Sequence, residues 1–148
     1  AQLWPLLTKE EQSQYQRASQ HQSNPPQLAS RALLRCLLAR YLNINAENVH
    51  ITRGEHGKPM LLDFPQLQWS LSHTKNDIVF AINTGKRIGV DLENARNIDD
   101  YLLLAERSYS KAEYQYLLSL ADEQQKSAFI QLWVIKEAFV KAVGFGLS

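Results

Sequence analysis

The sequence reads Trp133-Val134-Ile135-Lys136-Glu137-Ala138-Phe139-Val140-Lys141-Ala142-Val143-Gly144 near its carboxyl end. The apolar spacing of this stretch predicts a helix that carries one carboxylate among cations. Trp133, Glu137 and Lys141 would share one stripe of that helix, because residues four apart lie on the same face. Gly144 stands where a left-handed residue commonly ends a helix. The stretch therefore predicts a long carboxyl-terminal helix with one charged stripe.

A second acidic motif lies upstream and reads Gly89-Val90-Asp91-Leu92-Glu93. On a strand, residues two apart project from the same face, so Asp91 and Glu93 would point together. We expect both to converge with Glu137. Carboxylate oxygens suit Mg²⁺, which leaves its other positions to waters and substrate phosphates. The residues therefore predict a Mg²⁺ site and a phosphate-bearing substrate.

These acidic residues also have ordinary structural explanations. Asp91 and Glu93 could form the solvated face of an edge strand. Glu137 could be a surface residue that pairs with Lys141 at the i, i+4 spacing, an interaction worth only a few tenths of a kcal/mol. The apolar flanks of Glu137 favour a functional interpretation, as does the position of the acidic pair at a strand end, where binding groups are often mounted.

Composition narrows the class of protein. The chain has 148 residues, of which 45% are hydrophobic, enough for one compact domain with a substantial core. Sixteen basic and fifteen acidic side chains leave a formal charge of +1, so no global field favours nucleic acid or an anionic membrane. The single cysteine, Cys36, excludes an internal disulfide and fits a reducing compartment. We expect a cytoplasmic protein that binds neither nucleic acid nor membrane.

The amino-terminal half alternates between helical and extended patterns. Thr8 has the sequence context of a helix N-cap, and the helix it starts would continue to about residue 17. A polar, proline-broken loop is expected at residues 19–27 and an amphipathic helix at 28–41, with Arg31, Arg35 and Arg40 on its other faces. Short extended segments are expected at residues 49–52 and 60–62.

The remaining pattern completes an α+β fold. Residues 78–82 and 88–93 would form a β-hairpin around the turn at 83–86. Helices are expected at residues 98–106 and 111–120, the second with Ser110 and Glu113 as a capping box. A last helix would begin at about residue 122 or 127 and end at 143. We therefore expect helices packed on small, mainly antiparallel sheets.

The two acidic motifs resemble those of the 4′-phosphopantetheinyl transferases of the Sfp type, which carry a Gly-Val/Ile-Asp-x-Glu strand and a Trp-x-x-Lys-Glu-Ala-x-x-Lys helix. Three further pieces are similar to that family: Gly57-Lys58-Pro59, Trp69-Ser70-Leu71-Ser72-His73-Thr74 and Ser110-Lys111-Ala112-Glu113-Tyr114. The resemblance covers roughly residues 31–147. It implies a pseudo-two-fold fold within one compact unit, with a first half at residues 1–93 and the start of a second at 94–148. By this resemblance the chain would be truncated after the second half's main helix.

The resemblance also implies an activity, its cofactor and its partners. Family members transfer the 4′-phosphopantetheine moiety of coenzyme A to a serine of an acyl or peptidyl carrier protein and release adenosine 3′,5′-bisphosphate. The implied Mg²⁺ ligands are Asp91, Glu93 and Glu137, with Glu137 also a candidate general base. The implied coenzyme A contacts are Arg31, Lys58, Ser72, His73, Lys136 and Lys141, with Lys141 also catalytic and Arg31 at the 3′-phosphate. We expect a monomer.

Several of these assignments compete with simpler interpretations. Lys58 could be an ordinary turn lysine, and Lys136 and Lys141 could face solvent. Ser72 and His73 could be a strand end that is satisfied by the backbone. The family's basic loop before the first long helix is replaced here by the polar residues 20–27, which predicts weaker binding of coenzyme A.

Two rival functions remain open at this stage. One is an inactive or truncated relative that binds carrier protein or nucleotide without turnover. The other is a different Mg²⁺-dependent phosphotransferase that uses the same carboxylates, although the sequence contains no Gly-x-x-x-x-Gly-Lys-Ser/Thr loop.

Overall fold

The structure of the chain, a computed structural model, describes residues 4–20, 25–54, 57–94 and 98–144. Its α-helices are α1 (Lys9–Gln20), α2 (Pro25–Leu42), α3 (Tyr101–Ser108), α4 (Lys111–Ser119) and α5 (Asp122–Val143). Its strands are β1 (Ile51–Arg53), β2 (Pro59–Leu61), β3 (Leu67–His73) and β4 (Ile78–Thr84). Short 3₁₀ turns occupy Trp4–Leu6 and Ala46–Asn48. The predicted α+β class is confirmed.

The first two helices begin at residues suited to a helix start. The Glu11 N–H donates to Thr8 Oγ1 (3.1 Å), and the Thr8 N–H donates to Glu11 Oε2 (2.8 Å), which confirms the predicted cap. Helix α2 begins at Pro25 because a proline in the first helical turn forfeits no intrahelical hydrogen bond. The predicted loop at residues 19–27 is therefore wrong at both ends, and residues 21–24 lie outside the described residues.

The four strands form two antiparallel pairs. Strand β1 pairs with β2, and β3 pairs with β4 in a register that sets Leu67 opposite Thr84 and His73 opposite Ile78. The predicted hairpin between residues 78–82 and 88–93 is wrong, since β4 pairs with the strand before it. The chain does turn after β4, at Gly85 with φ 82°. Turn residues specify the turn itself, but they do not specify which segment pairs across it.

Two hydrophobic clusters form the core of the described residues. The first is built from α2 and the strands, and its buried members are Leu34, Leu38, Ala39, Val49, Leu61, Leu67 and Trp69. The second is built from α3, α4 and α5, with Ala105, Tyr109, Leu117 and Phe129 at its centre. Among the described helices, none is both long and apolar enough to span a membrane. The division of the chain at residue 93 stays a prediction.

The segment between the two clusters, residues 87–94, lies against α5 in close backbone contact. A Cβ atom at Gly89 would stand 1.8 Å from the Ala138 carbonyl oxygen and 2.6 Å from the Ala142 nitrogen. The next residue is held from the sheet side, where the Val90 N–H donates to Ser70 Oγ (3.1 Å). Only a glycine allows this approach, so Gly89 determines where the following acidic residues lie.

The end of α5 and the start of α4 lie where the sequence predicts them, whereas α3 begins and ends later than the predicted residues 98–106. Gly144 adopts φ 84° and its N–H donates to the Val140 carbonyl (2.9 Å), which confirms the left-handed cap of α5. The capping box of Ser110 and Glu113 at the start of α4 is also confirmed. The Glu113 carboxylate additionally accepts two hydrogen bonds from Lys136 Nζ, at 2.8 and 2.9 Å, and so ties α4 to α5.

We expect Gly89→Ala to lower the free energy of unfolding by about 2 kcal/mol or more, because the new methyl group would overlap the backbone of α5. Gly54→Ala is the matched control, since a Cβ there meets only ordinary contacts at 3.5 Å and should change stability by less than about 1 kcal/mol. Urea denaturation measures both. Equal stability of the two variants would contradict the close approach.

The ionisation of Glu113 should make the free energy of unfolding depend on pH in the acidic range. Its hydrogen bonds from Lys136 and Ser110 lower the pKa of this carboxyl from 4.5 to about 2. Folding thus favours the ionised form of Glu113. The ionised carboxylate contributes fully to the free energy of unfolding above pH 4.5, and this contribution is lost as the pH falls towards 2. We expect Glu113→Gln to flatten the decline of unfolding free energy across this window. Denaturant titrations at several pH values measure it, and an unchanged decline would contradict the assignment.

Candidate active site

The charged stripe of α5 meets the acidic segment at Asp91. Lys141 Nζ lies 2.5 Å from Asp91 Oδ1, and the Ser72 hydroxyl donates to the same oxygen at 2.9 Å. The Ser72 hydroxyl also accepts a hydrogen bond from Lys141 Nζ (2.9 Å). Asp91 is almost fully buried, with 4% of its side chain exposed. Residues from β3, the acidic segment and α5 thus form one closed polar triangle.

The other two predicted metal ligands, Glu93 and Glu137, lie close enough to Asp91 for the charges to interact. Partial burial raises the pKa of Glu93, and the negative charges of Asp91 and Glu137 raise it further. A hydrogen bond from Trp133 and the charge of Lys141 act in the opposite direction on that pKa. The acidic pair and the charged stripe of α5 thus lie near one another, although residues 88–94 form no strand. The convergence of the three carboxylates on one cation stays a prediction.

The three carboxylates are not arranged as a finished ligand set. Across the residues that the structure describes, no three or more His, Cys, Asp or Glu side chains are grouped closely enough to hold a metal ion. One oxygen nevertheless lacks a partner, because Asp91 Oδ2 is buried without a hydrogen bond. Buried carboxylate oxygens normally have a partner. The donor set is the oxygen chemistry that a hard divalent cation requires, so these residues fit such an ion.

A cavity of about 820 Å³ opens beside this cluster. Glu137, Val140 and Lys141 line it from α5, and Trp69, Ser70 and Leu71 line it from β3. Helix α2 contributes Arg31, Leu34 and Arg35, and β2 with the turn before it contributes Gly57, Lys58 and Pro59. A volume of this size accommodates a large cofactor, and a mainly apolar wall with a few charged groups is typical of ligand sites.

The predicted substrate contacts are distributed unevenly around this cavity. Arg31, Lys58 and Lys141 line it, whereas Ser72 lies with Asp91 and His73 lies half-buried at the end of β3. Lys58 Nζ donates to the carbonyls of Ala142 (2.9 Å) and Ile88 (3.3 Å), so it also anchors the end of α5. Burial lowers the pKa of Lys58, and the nearby Arg87 charge lowers it further.

Lys136 lies away from this group. Its ammonium is held by Glu113 and stands 5.4 Å from the centre of the Tyr109 ring. The expected alternative of a Glu137 and Lys141 surface pair is not observed either, because Lys141 bonds to Asp91. Of Lys136, Glu137 and Lys141, therefore, Glu137 and Lys141 line the cavity, whereas Lys136 is bonded to Glu113.

The sequence pattern places Arg35 outside the apolar face of α2 but does not predict that its side chain is buried. Its side chain is 7% exposed, and its guanidinium donates to the Val49 carbonyl and to both carboxylate oxygens of Glu11. Its Nε is buried without a partner. The available signal was the four-residue spacing from Arg31, which puts both arginines on one helical stripe.

Comparison with known proteins gives two family matches that together cover almost the whole chain. The family model described as "4′-phosphopantetheinyl transferase, N-terminal" matches residues 1–85, more than half of the chain. The model of the "4′-phosphopantetheinyl transferase superfamily" matches residues 87–148, which include the acidic segment and α5.

Individual relatives agree with these matches. The chain is 39% identical over 123 residues to the 4′-phosphopantetheinyl transferase HetI of Nostoc sp., covering 81% of this chain and 52% of that protein. It is 34% identical over 141 residues to the transferase gsp of Aneurinibacillus migulanus, covering 95% and 57%. It is 33% identical over 116 residues to the transferase Sfp of Bacillus subtilis, covering 78% and 50%.

The chain therefore spans about half the length of the curated relatives that it matches. The matched ranges contain both acidic motifs and the cavity-lining residues of α2. The chain belongs to the 4′-phosphopantetheinyl transferase superfamily, in which it is of the Sfp type.

Proposed function

We propose that this chain transfers the 4′-phosphopantetheine arm of coenzyme A to a serine hydroxyl of an acyl or peptidyl carrier protein, with release of adenosine 3′,5′-bisphosphate. One observation carries the proposal. Glu137 and Lys141 of α5 line a cavity of about 820 Å³ beside the buried Asp91, and arginines of α2 line the same cavity. The family membership of the chain supports the same reaction.

The cavity suits a long molecule with several anionic groups. Its cationic lining residues come from three different elements, so they can contact separated phosphates of one substrate. Guanidinium groups bind phosphate oxygens with two parallel hydrogen bonds, and ammonium groups act as point charges. We assign Arg31 to the 3′-phosphate and Lys58 to the nucleotide, with Lys141 on the pyrophosphate. Ser72, His73 and Lys136 remain weaker coenzyme A candidates.

The acidic cluster would hold Mg²⁺ through Asp91, Glu93 and Glu137. Two observations support this assignment: Asp91 Oδ2 has no partner, and the charges of Asp91 and Glu137 are near enough to raise the pKa of Glu93. When bound, such an ion neutralises charge on the pyrophosphate of the substrate. Oxygen ligands and a phosphate substrate are the usual setting of Mg²⁺ in proteins.

The side chains of the site would accept the proton and stabilise the negative charge during transfer. The Glu137 carboxylate accepts the proton of the carrier serine as that oxygen forms its bond to the β-phosphorus of coenzyme A. The bond between that phosphorus and the bridging oxygen breaks, and the electron pair leaves on adenosine 3′,5′-bisphosphate. Lys141 stabilises the charge that develops on the phosphate oxygens. The carrier protein brings the nucleophile, so this chain needs no catalytic serine or cysteine.

A binding-only relative is the second candidate. It is favoured by two predicted phosphate contacts that have other partners, since Lys136 bonds to Glu113 and Lys58 bonds to backbone carbonyls. The polar residues 20–27, which replace a basic loop, also favour it. Incubation of an apo carrier protein with coenzyme A, Mg²⁺ and this chain separates the candidates. We expect mass spectrometry to find an added phosphopantetheine, and an unmodified carrier would support binding alone.

We expect Glu137→Gln to slow this transfer by roughly a hundredfold or more, because the amide cannot accept the serine proton. Glu123→Gln, in the exposed first turn of the same helix, is the matched control and should retain the parent rate. Initial rates of carrier loading measure both variants. A Glu137→Gln protein that loads the carrier at the parent rate would refute the role of Glu137.

The assignment of Arg31 to the 3′-phosphate predicts that its substitution weakens the binding of coenzyme A only. Arg31→Met should raise KM for coenzyme A by roughly tenfold, since a charge-assisted hydrogen bond to phosphate is lost. The same variant should leave KM for 3′-dephospho-coenzyme A unchanged. Arg40→Met, an exposed arginine of the same helix outside the cavity lining, is the control and should affect neither substrate. Equal loss with both substrates would contradict the assignment of Arg31 to the 3′-phosphate.

A further inference from the structure

Only one of the two carboxylate oxygens of Asp91 has hydrogen-bond partners. Its Oδ1 receives both Lys141 Nζ and the Ser72 hydroxyl, whereas its Oδ2 is buried without a partner. A buried carboxylate needs a counter-charge, because its removal from water is costly. Lys141 supplies that charge in this structure.

Lys141 has a second environment within reach. It lines the cavity beside Glu137, and 32% of its side chain is exposed, so its flexible stem can turn from Asp91 towards the cavity. Ser72 would stay on Asp91, since its hydroxyl donates to Oδ1 independently of the lysine. The neighbouring Lys136 differs, because its ammonium donates to both carboxylate oxygens of Glu113.

We propose that Lys141 is the internal counter-ion of Asp91, that a divalent cation displaces it, and that the displaced ammonium then turns into the cavity to bind substrate phosphate. The inference rests on the metal site of the proposed function. A divalent ion on Asp91 makes the lysine contact redundant and repels the ammonium. Metal binding and phosphate binding are thereby coupled, and each should strengthen the other.

This exchange has a physical consequence for the order of binding. Without metal, the ammonium of Lys141 is held by Asp91 and neutralises it, so the protein avoids an uncompensated buried charge. With metal, the same lysine becomes a phosphate ligand. The site would then bind anionic substrate strongly only after the carboxylates have been loaded, and Ser72 would act as a positioning residue that keeps Asp91 in place during the exchange.

Lysine labelling of the unaltered chain tests the displacement directly. The protein is acetylated with a small amount of acetic anhydride, with and without saturating Mn²⁺ and without coenzyme A, and each site is quantified by mass spectrometry. We expect Lys141 to react several-fold faster when Mn²⁺ is bound, because its ammonium has left Asp91. Lys136 should react at the same rate in both states. Unchanged labelling of Lys141 at full Mn²⁺ occupancy would overturn the proposal.

Metal affinity tests the competition. Lys141→Met keeps most of the unbranched side chain but removes its charge, so Mn²⁺ should bind at least about fivefold more tightly than to the parent protein. Lys126→Met, on the same helix beside Asp99, should leave the affinity unchanged. Electron paramagnetic resonance of free Mn²⁺ measures both, and circular dichroism checks that each variant is folded.

The outcomes separate this inference from the proposed function. A parent protein that binds no Mn²⁺ would contradict the metal assignment, and the exchange would fall with it. A parent protein that binds Mn²⁺ and loads a carrier, while Lys141→Met shows no gain in affinity, would contradict the exchange alone. A gain in affinity together with faster Lys141 labelling supports the exchange.

Discussion

The candidate site depends on the contact between Gly89 and the backbone of α5. Because Gly89 has no side chain, residues 87–94 approach the helix closely enough for Asp91 to reach Lys141, although the two residues are fifty positions apart. The hydrogen bond from the Val90 N–H to Ser70 fixes the same segment from the sheet side. The acidic motif is therefore positioned by backbone packing, and its charged groups follow from that packing.

The site also lies where two hydrophobic clusters leave polar groups between them. Helix α5 packs one part of its surface into the second cluster through Phe129, while Glu137 and Lys141 face the cavity bounded by α2 and β3. Charged groups such as Asp91 and Arg35 are almost fully buried there. Such burial costs stability unless partners are provided, so a concentration of buried charge in a cavity is a physical indication of function.

The sequence predicted which residues share a helical face better than it predicted how the segments of the site pair. The four-residue spacing of Trp133, Glu137 and Lys141 correctly placed them on one stripe, because helical periodicity is a local property. The pairing of residues 88–93 with β4 was wrong, since the partner of an extended segment depends on contacts distant in the chain. The burial of Arg35 and the tie between Lys136 and Glu113 were missed for the same reason. The spacing of residues along a helix predicts which of them share a face, but tertiary packing decides what that face contacts.

We propose that carboxylates from two distant segments of the chain hold one cation. The most direct measurement is a crystal structure of the chain grown with Mn²⁺, with diffraction data collected at the manganese absorption edge. We predict an anomalous peak in contact with Asp91, Glu93 and Glu137, on the side of Asp91 Oδ2. A fully occupied peak elsewhere, with Asp91 still bound only by Lys141 and Ser72, would contradict the account.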